Sequence, residues 1–430
     1  MRKTISITLI VVILVTMLTG CYDSIEPDEI VYILAIGLDK GVKDKLRLTV
    51  EFHTAKGGSS SKSSGSSGGG PSGGETGGDY TTITIDAPSL FTGINMINSS
   101  LAHKVNFMHT EYVVFSEEMA KAGLSTYIGA VIRYRQIRRS TAIIVAKGSA
   151  CKFLEENQPL IGSTLAKTMV LQALESANTG YFPYVTLKDF DDGIKSTYRQ
   201  PIAILGGINN SNSYQEDGEK ASAFQSPEGQ YYAGEMPRKG GSKVELYGTA
   251  VFDGDKMVGE LTGDETRLLL MLMGDFKRGF FTIKDPKMPQ YVVPLDVRTS
   301  RKTKIQVDIK NGKPYINAEI KLEGDILAIQ SMINYEDISL KPLLEKAFEQ
   351  QVKSEMDALI DKCKKEKSDV FGFGTVACRK FLTIQDWEQY NWNKQFENAE
   401  VTVNVTFNIR RTGMLMKSSP IIGSEGIVNK

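Results

Sequence analysis

Residues 300–322 read SRKTKIQVDIKNGKPYINAEIKL. Within Ser300 to Ile309, Ile305, Val307 and Ile309 alternate with polar residues, Asn311-Gly312 interrupts the pattern, and Pro314 to Leu322 resumes it. Asn-Gly suits a two-residue hairpin turn because both residues tolerate positive φ. Alternation on either side gives each strand one buried face. The stretch therefore predicts an antiparallel hairpin. Downstream, Lys341 to Lys365 predicts a long helix, with Leu344, Phe348, Val352, Met356, Leu359, Ile360 and Cys363 recurring every three or four residues. That stripe needs a sheet to pack on. Val401, Val403, Val405 and Phe407 predict one more strand, at an edge or in the centre. Residues 297–415 are thus expected to form an α+β domain, an antiparallel sheet with a long helix, followed by a weakly patterned tail over 416–430.

Upstream, Val244 to Phe252 and Met257 to Leu261 flank Asp253-Gly254-Asp255, a second hairpin signal. Thr262 caps a helix running to about Gly274, and Phe280–Ile283 and Tyr291–Leu295 read as strands. These elements and the polar stretch Asn209 to Lys243 make residues 206–296 a middle α+β domain. Residues 21–205 alternate strands with helices. Strands are expected at Ile30–Leu38, Leu46–Phe52, Tyr80–Asp86, His109–Phe115, Thr141–Ala146 and Ile202–Leu205. Helices are expected after Pro88, Ser116 and Ser149, over Ile128–Tyr134, and over Thr164–Ala177. This N-terminal α/β domain carries a Gly/Ser-rich insertion at 57–78, too poor in apolar residues to pack and expected to be a flexible loop. The fold class expected is α+β: three domains of mixed and antiparallel sheets with packed helices.

The chain has 430 residues, 41% of them apolar, with 51 basic and 51 acidic side chains. That balance produces no global field favouring nucleic acid. Arg2-Lys3, the apolar run Ile5 to Met17 and Leu18-Thr19-Gly20-Cys21 follow the layout of a secretory signal, and small residues directly before Cys match a bacterial lipobox. Residues 1–20 are therefore expected to be a lipoprotein signal peptide, and Cys21 the lipid-attachment residue and new N-terminus. The competing reading is an uncleaved signal anchor, for which the apolar run is short. No later segment is apolar for 18 residues. Cys363 and Cys378 either form a disulfide or remain two separate thiols, the second being the expectation; no C-x-x-C pair suggests a zinc or redox site.

Candidate chemistry is sparse. Gly372-Phe373-Gly374-Thr375-Val376-Ala377 matches G-x-G-x-x-A, but no apolar strand precedes it, so a glycine turn is expected rather than a dinucleotide site. His53, His103 and His109 lack metal-ligand spacing. Asp189, Asp191 and Asp192 lack the acidic twelfth position of a calcium loop and read as a solvated helix turn. No catalytic residue, cofactor or metal is expected. Arg133, Arg135, Arg138 and Arg139, with Tyr134 among them, form the one concentrated basic patch. It is a candidate for anionic lipid headgroups or an acidic partner, against the plainer reading of a charged face with internal ion pairs.

Taken in order, several stretches resemble the Ger(x)C (GerAC-type) spore germination lipoproteins, the C subunits of nutrient germinant receptors. They are Cys21 with Ile33 to Asp39; His109 to Phe115 with Glu118, Ala120 and Gly123; Arg138 and Val145 to Ala150; Gly248 to Phe252 with Val258 to Leu261; Asp369 to Gly374; and Trp387 ahead of Val401 to Ile409. The resemblance implies a three-domain α+β protein, anchored by Cys21 to the bilayer at the outer face of the spore inner membrane. It also implies assembly with integral-membrane A and B subunits to trigger germination, and no catalytic residues. Two other classes compete: a solute-binding lipoprotein of an uptake system, expected to show two lobes of repeated β-α units, and a lipid-anchored enzyme, for which no constellation appears.

Overall fold

The computed structural model describes residues 4–9, 26, 29–53, 80–158, 165–212, 214, 229–413, 415, 417–419, 422–424 and 426–427. Cys21 and the Gly/Ser-rich insertion lie outside these residues. The chain enters through β1 (Ile30–Lys40), which pairs antiparallel with β2 (Leu46–His53), and β2 with β3 (Tyr80–Ala87). Helix α1 (Leu90–Ser100) starts after Pro88 with Ser89 as its cap; the Ser89 hydroxyl accepts from the Thr92 N–H. The proline thus precedes the cap instead of occupying the first turn. Then come β4 (Lys104–Asn106), β5 (Tyr112–Ser116), α2 (Glu117–Ala122), α3 (Ser125–Arg133), β6 (Ala142–Ala146) and α4 (Ala150–Glu155). They are followed by α5 (Leu165–Leu174), α6 (Leu187–Ile194), β7 (Ile202–Ile208), β8 (Val244–Asp253) and β9 (Lys256–Leu261).

These nine strands form one mixed sheet in the order β3-β2-β1-β5-β6-β7-β8-β9, with β4 beside β1. Strands β1, β4, β5, β6 and β7 run parallel, and antiparallel hairpins close both edges. Both faces are covered, so β5 (YVVFS) and β6 (AIIVA) are buried throughout rather than alternating. The sheet continues through residue 205, where the sequence suggests a boundary: β7 contains that residue and is hydrogen bonded to β8.

Helix α7 (Gly263–Met273) leads into a second sheet, β10 (Arg278–Lys284), β11 (Val292–Lys310), β12 (Lys313–Ile326) and β13 (Glu400–Arg411), paired in that order. The two strands expected at Tyr291–Leu295 and Ser300–Ile309 are a single 19-residue strand, β11. Its hairpin with β12 turns at Asn311 (φ 51°) and Gly312 (φ 78°), the positive-φ pair the Asn-Gly signal implies. Helix α8 (Lys341–Lys365) buries the seven apolar residues of its stripe. The expected purely antiparallel sheet needs one correction: β13 is an edge strand running parallel to β12. The reason is α8 itself, a crossover between the two strands that returns the chain in the same direction. Short helices α9 (Ile384–Tyr390) and α10 (Trp392–Phe396) follow α8, and β14 (Ile422–Gly423) pairs with β15 (Gly426–Ile427) at the end. One apolar core extends from the first sheet into the second, including Phe252, Leu268, Val297, Phe348 and Trp392. A separate cluster under α4 and α5 fills the other face of the first sheet.

Candidate functional site

Arg133 ends α3, and Arg135, Arg138 and Arg139 lie on the connection into β6. All four are exposed, and none is ion-paired to a described residue. The connection is nonetheless firmly held. The Tyr134 ring lies edge-on to Phe91 (5.7 Å) and Phe107 (5.4 Å). The Gln136 side-chain oxygen accepts from the Phe107 N–H at 3.1 Å. The Thr141 hydroxyl donates to the Thr110 carbonyl at 3.0 Å, and the Thr110 hydroxyl donates to the Ile33 carbonyl at 3.2 Å. The connection that carries the arginines is therefore held to the 107–110 segment beside β1, and at its far end the Arg139 carbonyl accepts from the Lys188 N–H of α6.

The glycine motif has an internal purpose. Asp369, fully buried, accepts hydrogen bonds from the N–H groups of Gly372 (3.0 Å), Phe373 (3.2 Å) and Gly374 (2.7 Å), and from the Trp392 indole (2.8 Å). Burial pushes its carboxyl up to about 6, while the Gly374 N–H, the indole and the other two amides pull it down. The carboxylate occupies the cradle in which a dinucleotide phosphate would lie, so the expected glycine turn is what the motif builds. The same segment seams the molecule: the Gln200 N–H donates to the Asp369 carbonyl at 2.9 Å, and the Ser368 hydroxyl to the Phe252 carbonyl at 2.5 Å.

The remaining candidates resolve similarly. The Asp189 carboxylate accepts from the Thr186 N–H and hydroxyl in a capping box at the start of α6, and Asp191 and Asp192 pair with Lys195 and Lys188 one turn away. His53 packs against Tyr80, and His109 edge-on against Tyr32. Among the described residues no group of three or more His, Cys, Asp or Glu side chains is placed to hold a metal. Cys363 and Cys378 are separate free thiols. Burial pushes the Cys363 thiol well above its usual range, and the Cys378 Sγ faces the Thr375 carbonyl at 3.3 Å.

Two features had no sequence signal. Arg267 is a buried cation whose guanidinium stacks 3.6 Å from the Tyr181 ring centre and 4.5 Å from that of Phe281, while its Nε donates to the Thr179 carbonyl. It links the first sheet's connections to β10. The second feature is a cleft of about 720 Å³ where α5, α6 and the entry to β7 face α7, β11 and the 370–379 segment. Apolar residues such as Ile202, Ile305 and Val376 line it, with Arg199, Lys277, Lys302 and Arg379 at its walls. None of these four cations is ion-paired to a described residue. No described helix is long and apolar enough to cross a membrane.

Comparison with known proteins places this architecture. Residues 23–206 match the family described as spore germination protein N-terminal domain, and residues 247–413 match the one described as spore germination B3/GerAC like, C-terminal. Among curated proteins, the chain is similar to the putative spore germination protein YfkR of Bacillus subtilis (strain 168), at 23% identity over 97% of this chain and 99% of the relative. It is 24% identical to spore germination protein KC of the same organism over 95% of each chain, and 22% identical to spore germination protein B3, over 96% and 100%. A solved structure titled "Crystal Structure of the GerBC protein" aligns over 87% of this chain and 96% of that one, with 17% identity and a TM-score of 0.46. With family matches running through both sheets and full-length relatives among germination proteins, the chain belongs to the GerAC-type family of spore germination proteins.

Proposed function

We propose that this chain is the C subunit of a nutrient germinant receptor, a non-catalytic interaction module tethered by lipid on Cys21 to the outer face of the spore inner membrane. It works there with integral-membrane A and B subunits. The observation that carries the reading is the lipobox Leu18-Thr19-Gly20-Cys21 at the head of a chain whose family is that of germination proteins. Lipidation supplies two acyl chains, each buried methylene contributing about 0.8 kcal/mol, enough for stable anchoring. Confinement to the membrane plane raises the chain's effective concentration towards membrane partners without any new contact.

The tether is tested by Cys21→Ala. The native chain is expected in the membrane fraction with a lipid-mass adduct on its N-terminal peptide, and the variant in the soluble fraction. An unmodified Cys21 in membrane-bound protein contradicts the tether. A second reading, a solute-binding lipoprotein, draws on one observation, the cleft between the sheets, where four cations ion-paired to no described residue stand with Asp189 and Asp275. Thermal-shift screening separates the two: strong stabilisation by one free anionic nutrient favours solute binding, and a flat response favours the receptor subunit.

A further inference from the structure

Strands β1, β4, β5, β6 and β7 run in one direction, so the connections that enter them gather at one end of the first sheet. Ile30, where the described chain enters β1, is paired with Lys104, and Tyr32 with Asn106. The 107–111 segment continues beside β1 through bonds to Ile33 and Leu34, and the arginine connection is bonded in turn to Phe107 and Thr110. This end therefore displays Lys104, Arg133, Arg135, Arg138 and Arg139, all exposed, against the carboxylates Glu26, Glu29 and Glu111. Met108 (51% exposed) and Tyr32 (37%) add apolar surface among them. None of the four guanidinium groups is within ion-pair distance of a described carboxylate; Arg139 acts on Asp192 from further away, and Asp192 is itself paired with Lys188, so most of the cluster's charge is available to an outside partner.

From these placements we infer that the entering end of the first sheet is a docking surface for an anionic phospholipid bilayer, with the arginines of the α3–β6 connection lying against headgroup phosphates. The inference rests on the proposed Cys21 tether for its orientation. Eight residues lie between Cys21 and Ile30, a contour of roughly 30 Å at most, so the tether holds this end near the bilayer. A guanidinium fork matches phosphate oxygens in a bidentate manner. Each basic residue at such a surface improves partition by roughly fivefold, the equivalent of about 1 kcal/mol.

Hydrogen–deuterium exchange on the full chain tests the surface. Amides of 103–111 and 133–141 are compared with vesicles of mixed phosphatidylglycerol and phosphatidylcholine and with vesicles of phosphatidylcholine alone. Exchange is expected to slow about tenfold in both segments on the anionic vesicles only. The protection should vanish in about 1 M salt, where screening shortens to roughly 3 Å, and in the combined variant Arg133→Gln, Arg135→Gln, Arg138→Gln, Arg139→Gln. The salt arm uses the native chain and stands even if the variant folds poorly. Equal exchange on both vesicle types, or protection indifferent to salt, overturns the inference. The mass of the Cys21 peptide is read in the same samples. Protection without lipid on Cys21 refutes the tether and keeps the surface; lipid without protection keeps the tether and refutes the surface.

Discussion

At Asp369, four donors converge on one buried carboxylate. Asp369→Ala leaves three amides and an indole N–H without an acceptor, and should cost about 3 kcal/mol or more, since each buried unsatisfied group costs roughly 1–3 kcal/mol. Denaturant unfolding measures the loss; a variant within 1 kcal/mol of the native chain would show that the cradle is dispensable. Asp86 offers a pH test. The Arg47 side chain and the Lys43 N–H hold its carboxyl down at about 2. A depressed acid stabilises above its unfolded pKa near 3.8 and loses that contribution as pH falls through about 2. Asp86→Asn should therefore melt below the native chain at neutral pH, and the difference should shrink as pH falls from 4 towards 2. A pH-independent difference would contradict the assignment. The sequence does contain Asp369 and the glycines after it, but it cannot reveal that Trp392 completes the cradle. Likewise Arg267 has no signature, because its aromatic neighbours, Tyr181 and Phe281, come from distant segments.

Among the elements, local signals were the informative ones. The Asn-Gly turn, the stripe of α8, and the caps at Ser116, Ser149 and Thr262 all depend on residues within a few positions of one another, and each appears where the sequence puts it. What depended on distant pairing was harder to read. The parallel partner of β13 is decided by the α8 crossover, and the union of β7 with β8 by hydrogen bonds across the polar stretch between them. The start of α7 shows how local and distant terms join. Thr262 and Glu265 form a capping box, and Lys362 near the end of α8 donates to both Glu265 oxygens, at 3.0 and 2.8 Å, and to the Glu260 carbonyl at 2.7 Å. Glu265→Ala removes the box and the ion pair together and should destabilise by about 1–2 kcal/mol. Lys362→Met in the Glu265→Ala background should then cost less than it does alone. Additive losses in that double-mutant cycle would show that the two helices are not coupled there.

For the whole molecule, one core joins two mixed sheets, and the α3–β6 connection near the β1 entry carries four arginines not ion-paired to any described residue. The molecule is seamed internally by Asp369 and Arg267, which suits the proposed role of a tethered module that holds other proteins at a membrane. The proposed tether rests on four residues, Leu18 to Cys21, which lie outside the described structure. The arginine cluster was visible in the sequence, but its placement near β1 needed the parallel topology. The most direct test of the receptor-subunit reading is affinity purification of the tagged full chain from detergent-solubilised spore membranes, followed by mass spectrometry. Two integral-membrane subunits are expected with it in comparable amounts, and are expected to be lost from the Cys21→Ala sample once the chain leaves the membrane. Recovery of the native, membrane-bound chain with no membrane subunit would contradict that reading.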